Sequence, residues 1–166
     1  MESESTGRTK IAVIGCGRSG TKFISEYLNL GHEKYGENGI ADWSLTTDGY
    51  FSEHIDGLIY IHQVRHPLDT ISSCQTLADT SWEFIERYIS FGNDCLIRKC
   101  MKYWYYWNLY AEEKAEFTYR VESIKQSKAN TRPHSSLTWH TLEQIDMNLT
   151  YKIKQLAIKY GYLVSF

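Results

Sequence analysis

The chain has 166 residues, enough for one domain with a real core. Hydrophobic residues make up 42% and charged residues 23%, which excludes a disordered polyelectrolyte and leaves a globular class. A formal net charge of −2 argues against a general nucleic-acid binder, so any anion site must come from local placement of cations.

Residues 1–9 are polar and are expected to be a flexible tail, ahead of a single domain from 10 to 166. MESESTGRTK has no apolar h-region, so no signal peptide is expected. No run reaches the ~18 apolar residues of a membrane span. The four cysteines are Cys16, Cys74, Cys95 and Cys100. They form no C-x-x-C pair and no zinc-finger spacing with His. Scattered thiols suit a reducing compartment, and the cytoplasm is the expected location.

A strand is predicted at 10–14, where Ile11 to Ile14 form a β-prone apolar run. It enters a turn holding Gly15, Gly17 and Gly20 together with Arg18, Ser19, Thr21 and Lys22. A helix over about 20–30 follows. Glycines let backbone N–H groups close round an anion, the helix start adds partial positive charge, and the side chains add cations and hydroxyls. The loop departs from the Walker pattern. If Gly15 opens that pattern, Gly20 is followed by Thr21 and Lys22, not by Lys and then Ser or Thr.

Residues 31–56 are rich in Gly, Asp and Thr and are expected to be irregular, with one short strand ending near Gly31-His32-Glu33. Such a long loop beside a phosphate site is usually functional. LIYIHQV, within a predicted strand at 57–64, reads as a buried parallel strand. Arg65 sits at its C-terminal end, where open α/β sheets bind ligands. Pro67 suits the first turn of a helix over 67–77. Helices follow at 80–90 and 93–115. In the second, Leu96, Cys100, Tyr103, Trp107 and Tyr110 have helical apolar spacing. The run Tyr103 to Trp107 is too wide for one stripe; it is read as core plus a partner helix, ahead of a platform for a sugar or aromatic substrate. A strand at 117–121, a polar cationic loop at 125–137 and helices at 139–146 and 149–160 complete the chain. Strands alternating with helices imply a three-layer α/β/α sandwich with a mainly parallel sheet.

The order Gly17-Arg18-Ser19-Gly20-Thr21 resembles the 5′-phosphosulfate loop of sulfotransferases that use 3′-phosphoadenosine-5′-phosphosulfate (PAPS). Arg65 with Ser73, eight residues later, is similar to the pair with which that family holds the 3′-phosphate; Ser72 is the neighbour one residue away. Phe117 to Ile124 resembles a late strand running into a Y-E-D-L-like segment. Glu122 matches the acidic position, Ser123 departs from the following Asp, and Val121 departs from the frequent aromatic. The resemblance covers about half the chain at motif level, and the chain is short for the family.

The resemblance implies a sulfuryl transfer from PAPS, leaving PAP, to a hydroxyl or amine of a small-molecule or carbohydrate acceptor. No metal is required. Gly17, Ser19, Gly20, Thr21 and Lys22 would cradle the phosphosulfate. Arg18 stands for the family's loop lysine; it cannot deprotonate, so it would act as an electrostatic clamp on the leaving oxygen. Glu33 is the first choice for the base and His32 the second. Arg132, in a basic late loop with Lys128 and His134, would close over the 3′-phosphate or adenine. Two alternatives stay open. One is a P-loop kinase or NTPase, against which the missing G-K-[ST] counts. The other is a nucleotide-binding module without catalysis.

Overall fold

A computed structural model of the chain describes residues 9–49, 57–124 and 137–165. Residues 1–8 of the expected tail, and Lys128, Arg132 and His134 of the expected basic loop, lie outside these segments.

The sheet has five strands: β1 (Lys10–Ile14), β2 (Gly31–His32), β3 (Gly39–Ala41), β4 (Leu58–Val64) and β5 (Phe117–Arg120). Their order is β2-β3-β1-β4-β5, and every pairing is parallel. The helices are α1 (Thr21–Leu28), α2 (Pro67–Cys74), α3 (Asp79–Ile85), α4 (Leu96–Lys114), α5 (Trp139–Ile145) and α6 (Met147–Lys159). Side chains alternate across a strand, and β1 uses that alternation to build two cores. Val13 packs with Ile24 of α1 on one face. Ala12 and Ile14 pack with Ala111 of α4 on the other. Helices α2 to α6 gather around α4 on that second face. The result is the three-layer α/β/α sandwich expected from the sequence.

Three local features differ from the sequence expectation. First, residues 31–41 hold two short strands, not one. Parallel neighbours usually need a helical crossover. Here residues 33–38 suffice, because the strands are so short and the backbone reverses at Glu33 (φ 53), whose N–H donates to Ala41 O at 3.1 Å. Second, α1, α2 and α3 end earlier than expected. Asn29, left-handed at φ 53, stops α1. Third, Leu96 is not core. It is 44% exposed in the first turn of α4. The buried face of α4 comprises Cys100, Met101, Tyr103, Trp104, Trp107, Asn108 and Ala111. That face is wide because α2 packs on α4 as well as α5 and α6. Tyr103, Trp104 and Trp107 of the aromatic run are therefore core, and Tyr105 and Tyr106 pack half-buried against it.

Connections from β1 and β4 leave in opposite directions along the sheet, β1 toward β2 and β4 toward β5. That divergence opens a crevice at their C-terminal ends, the usual place for a ligand in open α/β sheets. No helix among the described residues is long and apolar enough to cross a membrane.

Candidate functional site

The turn after β1 is packed from below. Gly15 N–H donates to Thr46 Oγ1 at 3.1 Å, and that hydroxyl donates back to Gly15 O at 3.1 Å. A Cβ on Gly15 would stand 2.3 Å from Gln63 O on β4, so only glycine lets the two strand ends close up. Gly17 N–H donates to Tyr103 OH at 2.8 Å. Ser19 N–H donates to Cys16 O at 3.1 Å, and Ser19 O accepts from Gln63 Nε2 at 2.9 Å. The first half of the loop is thus bonded within the chain.

The second half is different. Gly20 (φ 99) opens α1 as its N-cap and makes no side-chain cap bond. The first N–H to bond back is that of Ile24, to Gly20 O. The N–H groups of Thr21, Lys22 and Phe23 have no intrahelical acceptor, as the first turn of any helix dictates. Ser19 Oγ is buried and has no hydrogen-bond partner among the described residues. Free amides, a helix start and an orphaned buried hydroxyl fit an anionic group.

Gly20, Thr21 and Lys22 border a cleft of about 490 Å³, within the usual size range of small-molecule sites. Gly17, Arg18, Gly20, Thr21 and Lys22 form one wall. Arg65 and Ser73 form another, and His32 and Glu33 a third. Ser73 lines the cleft, whereas its neighbour Ser72 does not. Ser19 is buried just behind the loop. Arg132 lies outside the described residues.

Individual side chains have definite commitments. Arg65 is 7% exposed, and its Nη1 donates to Arg18 O at 3.2 Å. Arg18 is left-handed at φ 68, and its Nη2 donates to Thr76 O and Thr76 Oγ1 at 3.2 and 3.1 Å. Its guanidinium therefore bridges the loop to the end of α2 at the cleft rim. His32 Nε2 lies 3.4 Å from Thr21 Oγ1, directly on the loop. Glu33 is exposed. Glu122 acts as a brace: Oε1 accepts His66 N–H at 2.8 Å and Oε2 accepts Tyr162 OH at 2.9 Å. Val121 is buried in the core.

Sequence reasoning missed several contributors. Asp42, 3% exposed at the end of β3, accepts Ser44 N–H at 2.7 Å. Burial pushes its carboxyl up; the Ser44 bonds oppose this, Glu33 adds to it and His32 opposes it. An Asp-x-Ser turn was the available signal, hidden by overlooking β3. Thr76 and Tyr103 carried no local signal, because their partners lie 58 and 86 residues away. Among the described residues no group of acidic, His and Cys side chains could hold a metal ion. No protein-family model, curated protein or solved structure matches the chain.

Proposed function

We propose that the chain is a sulfotransferase that carries a sulfuryl group from PAPS to a hydroxyl or amine of a small-molecule or carbohydrate acceptor. One observation carries this reading: the anion loop and the Arg65/Ser73 pair, distant in sequence, line the same cleft. Two anion-binding ends in one cleft suit a donor with phosphates at both its 5′ and 3′ positions. The α1 amides with Gly20, Thr21 and Lys22 would hold the phosphosulfate. Arg65 and Ser73 would hold the 3′-phosphate.

In the transfer the acceptor oxygen or nitrogen bonds to sulfur, and the bond from sulfur to the phosphate oxygen breaks. The electron pair leaves on PAP, and the acceptor proton passes to a base of the protein. The distance of His32 Nε2 to the loop supports His32 ahead of Glu33, the reverse of the order read from the sequence. Positioning and preset electrostatics carry such transfers, as in phosphoryl transfer. Cytoplasmic residence belongs to the same reading and is supported by four free cysteines.

One observation favours a non-catalytic nucleotide-binding module instead: the Arg18 guanidinium is engaged with Thr76. Ligand choice separates the readings. Calorimetry should find PAP bound without metal and more tightly than ATP, and PAPS should raise the mass of an acceptor in a mixed pool. ATP binding better than PAP, or only with magnesium, would overturn the proposal. PAP binding with no mass increase in any acceptor pool would leave the module.

A further inference from the structure

We propose that α4 is the positioning element of the cleft and that Tyr103 is its critical residue, setting the anion loop through its hydroxyl. Tyr103, Trp104 and Trp107 lie within about one turn of α4, and all three are fully buried. Each puts its polar tip on the backbone of a different strand end. Tyr103 OH accepts Gly17 N–H after β1 at 2.8 Å. Trp104 Nε1–H donates to Arg65 O after β4 at 3.4 Å. Trp107 Nε1–H donates to Trp43 O after β3 at 3.0 Å. Gly17, Arg65 and Trp43 all line the cleft. A core needing only apolar volume would use Leu or Phe there, since a buried hydroxyl or indole N–H is costly unless bonded. These polar tips fix the spacing of the three strand ends.

Tyr103 has the tightest coupling. Gly17 does not adopt a left-handed φ, so backbone freedom is not why glycine stands there. A Cβ at 17 would sit 2.8 Å from Tyr103 OH and 3.6 Å from the Trp43 ring. The missing side chain is what admits the hydroxyl. With Gly17 N–H taken, the amides of Thr21 and Lys22 at the start of α1 remain on the cleft wall for a ligand. Burial raises the phenol's pKa, so the hydroxyl stays neutral, and Cys16 lies within hydrogen-bonding reach of it.

The inference rests on the loop being an anion site and is independent of the group transferred. The full chain should be titrated with PAP and with inorganic pyrophosphate, for wild type and Tyr103→Phe, well below the melting temperature. Phe keeps the ring and removes only the hydroxyl. Both ligands should bind about fivefold to tenfold more weakly, because a displaced loop affects any anion there. A folded Tyr103→Phe with wild-type affinity for the ligands that wild type binds would overturn the inference and leave the sulfotransferase reading standing. Pyrophosphate binding without PAP binding in the wild type would overturn the sulfotransferase reading alone. Wild type binding neither would overturn both. Should Tyr103→Phe fail to fold, Gly17→Ala tests the same contact from the other side: it should weaken both ligands at least tenfold, and unchanged affinity in folded Gly17→Ala would again overturn the inference. In a folded series, Tyr103→Phe should also soften the effect of Gly17→Ala, since it removes the atom that the new Cβ strikes.

Discussion

Two polar regions of this molecule look alike in composition and differ in bookkeeping. One is the cleft at the ends of β1 and β4. The other is the buried junction of β4, β5, α4 and α6 around His62. In the junction the groups are paired within the chain. His62 Nδ1 meets Thr118 Oγ1 at 2.9 Å, and Nε2 meets Asn108 Oδ1 at 2.9 Å. Asn108 Nδ2 donates to Trp104 O at 2.7 Å. Tyr160 OH donates to Glu112, which also pairs with Lys159. At the cleft the N-cap of α1 gives its amides no side-chain cap, and Ser19 Oγ, next in sequence to lining residues, is buried without a partner among the described residues. A satisfied network rigidifies a core; groups without a partner among the described residues point to a ligand. Changes in the junction should therefore be read in stability, and changes in the cleft in binding and turnover.

The largest separation is expected at the base. His32→Asn should lower PAPS-dependent turnover ~100-fold or more while PAP affinity and melting temperature hold. Glu33→Gln should cost less. Normal turnover in His32→Asn with loss in Glu33→Gln would return the role to Glu33. Normal turnover in both would remove both from the mechanism.

Arg65→Ala comes next. Losing a charge-assisted contact is worth ~1.5–3 kcal/mol, or roughly 10- to 100-fold in affinity. PAP should weaken by that much and an analogue lacking the 3′-phosphate much less. Equal weakening of both would show that Arg65 does not read the 3′ end.

Asn108→Ala tests the other region. It orphans His62 Nε2 and should cost about 2 kcal/mol of stability by urea unfolding, with PAP affinity unchanged. A variant that lost PAP affinity and kept its stability would dissolve the distinction between the two regions.

The legible parts of both regions share a cause. β1, the glycine loop, β4 and the Arg65-to-Ser73 spacing are continuous in sequence, so period and motif reveal them. β3 escaped because three residues, Gly39 to Ala41, carry no periodic signal; pairing with Ile11 to Val13 makes them a strand. Asp42 escaped with it. Glu122 matched an acidic motif position, but its partners His66 and Tyr162 come from elsewhere in the chain and make it a brace. The site roles of Tyr103, Trp104 and Trp107 were hidden for the same reason. Their spacing on α4 reads as core, which it is, and only the tertiary structure shows where their polar tips end.

The smallest effect should be a pH slope to which His62 of the junction contributes. Burial holds His62 down to about 4 from 6.5, against the raising effects of its bond to Asn108 and of Glu112. Between those values the unfolded chain binds the proton and the folded chain does not. Stability from this group is therefore complete above 6.5 and declines as pH falls toward 4, by at most about 1.4 kcal/mol per pH unit. His66 adds a slope of the same sign, since burial lowers it too, though Asp69 and Glu122 oppose the shift. The lowered carboxylates Asp94, Glu112 and Asp146 lose their contribution only below their ordinary range near 4, so pH 5 to 6.5 leaves these three out. Asp42 at the end of β3 is raised, so its effect has the opposite sign: stability gains as pH falls through its folded value. Urea unfolding across that window should show a shallower slope in His62→Gln than in wild type, and the slope that survives in the variant includes that of His66. Equal slopes in the two proteins would mean that His62 takes up its proton without loss of the fold, and the junction would then be as open to water as the cleft.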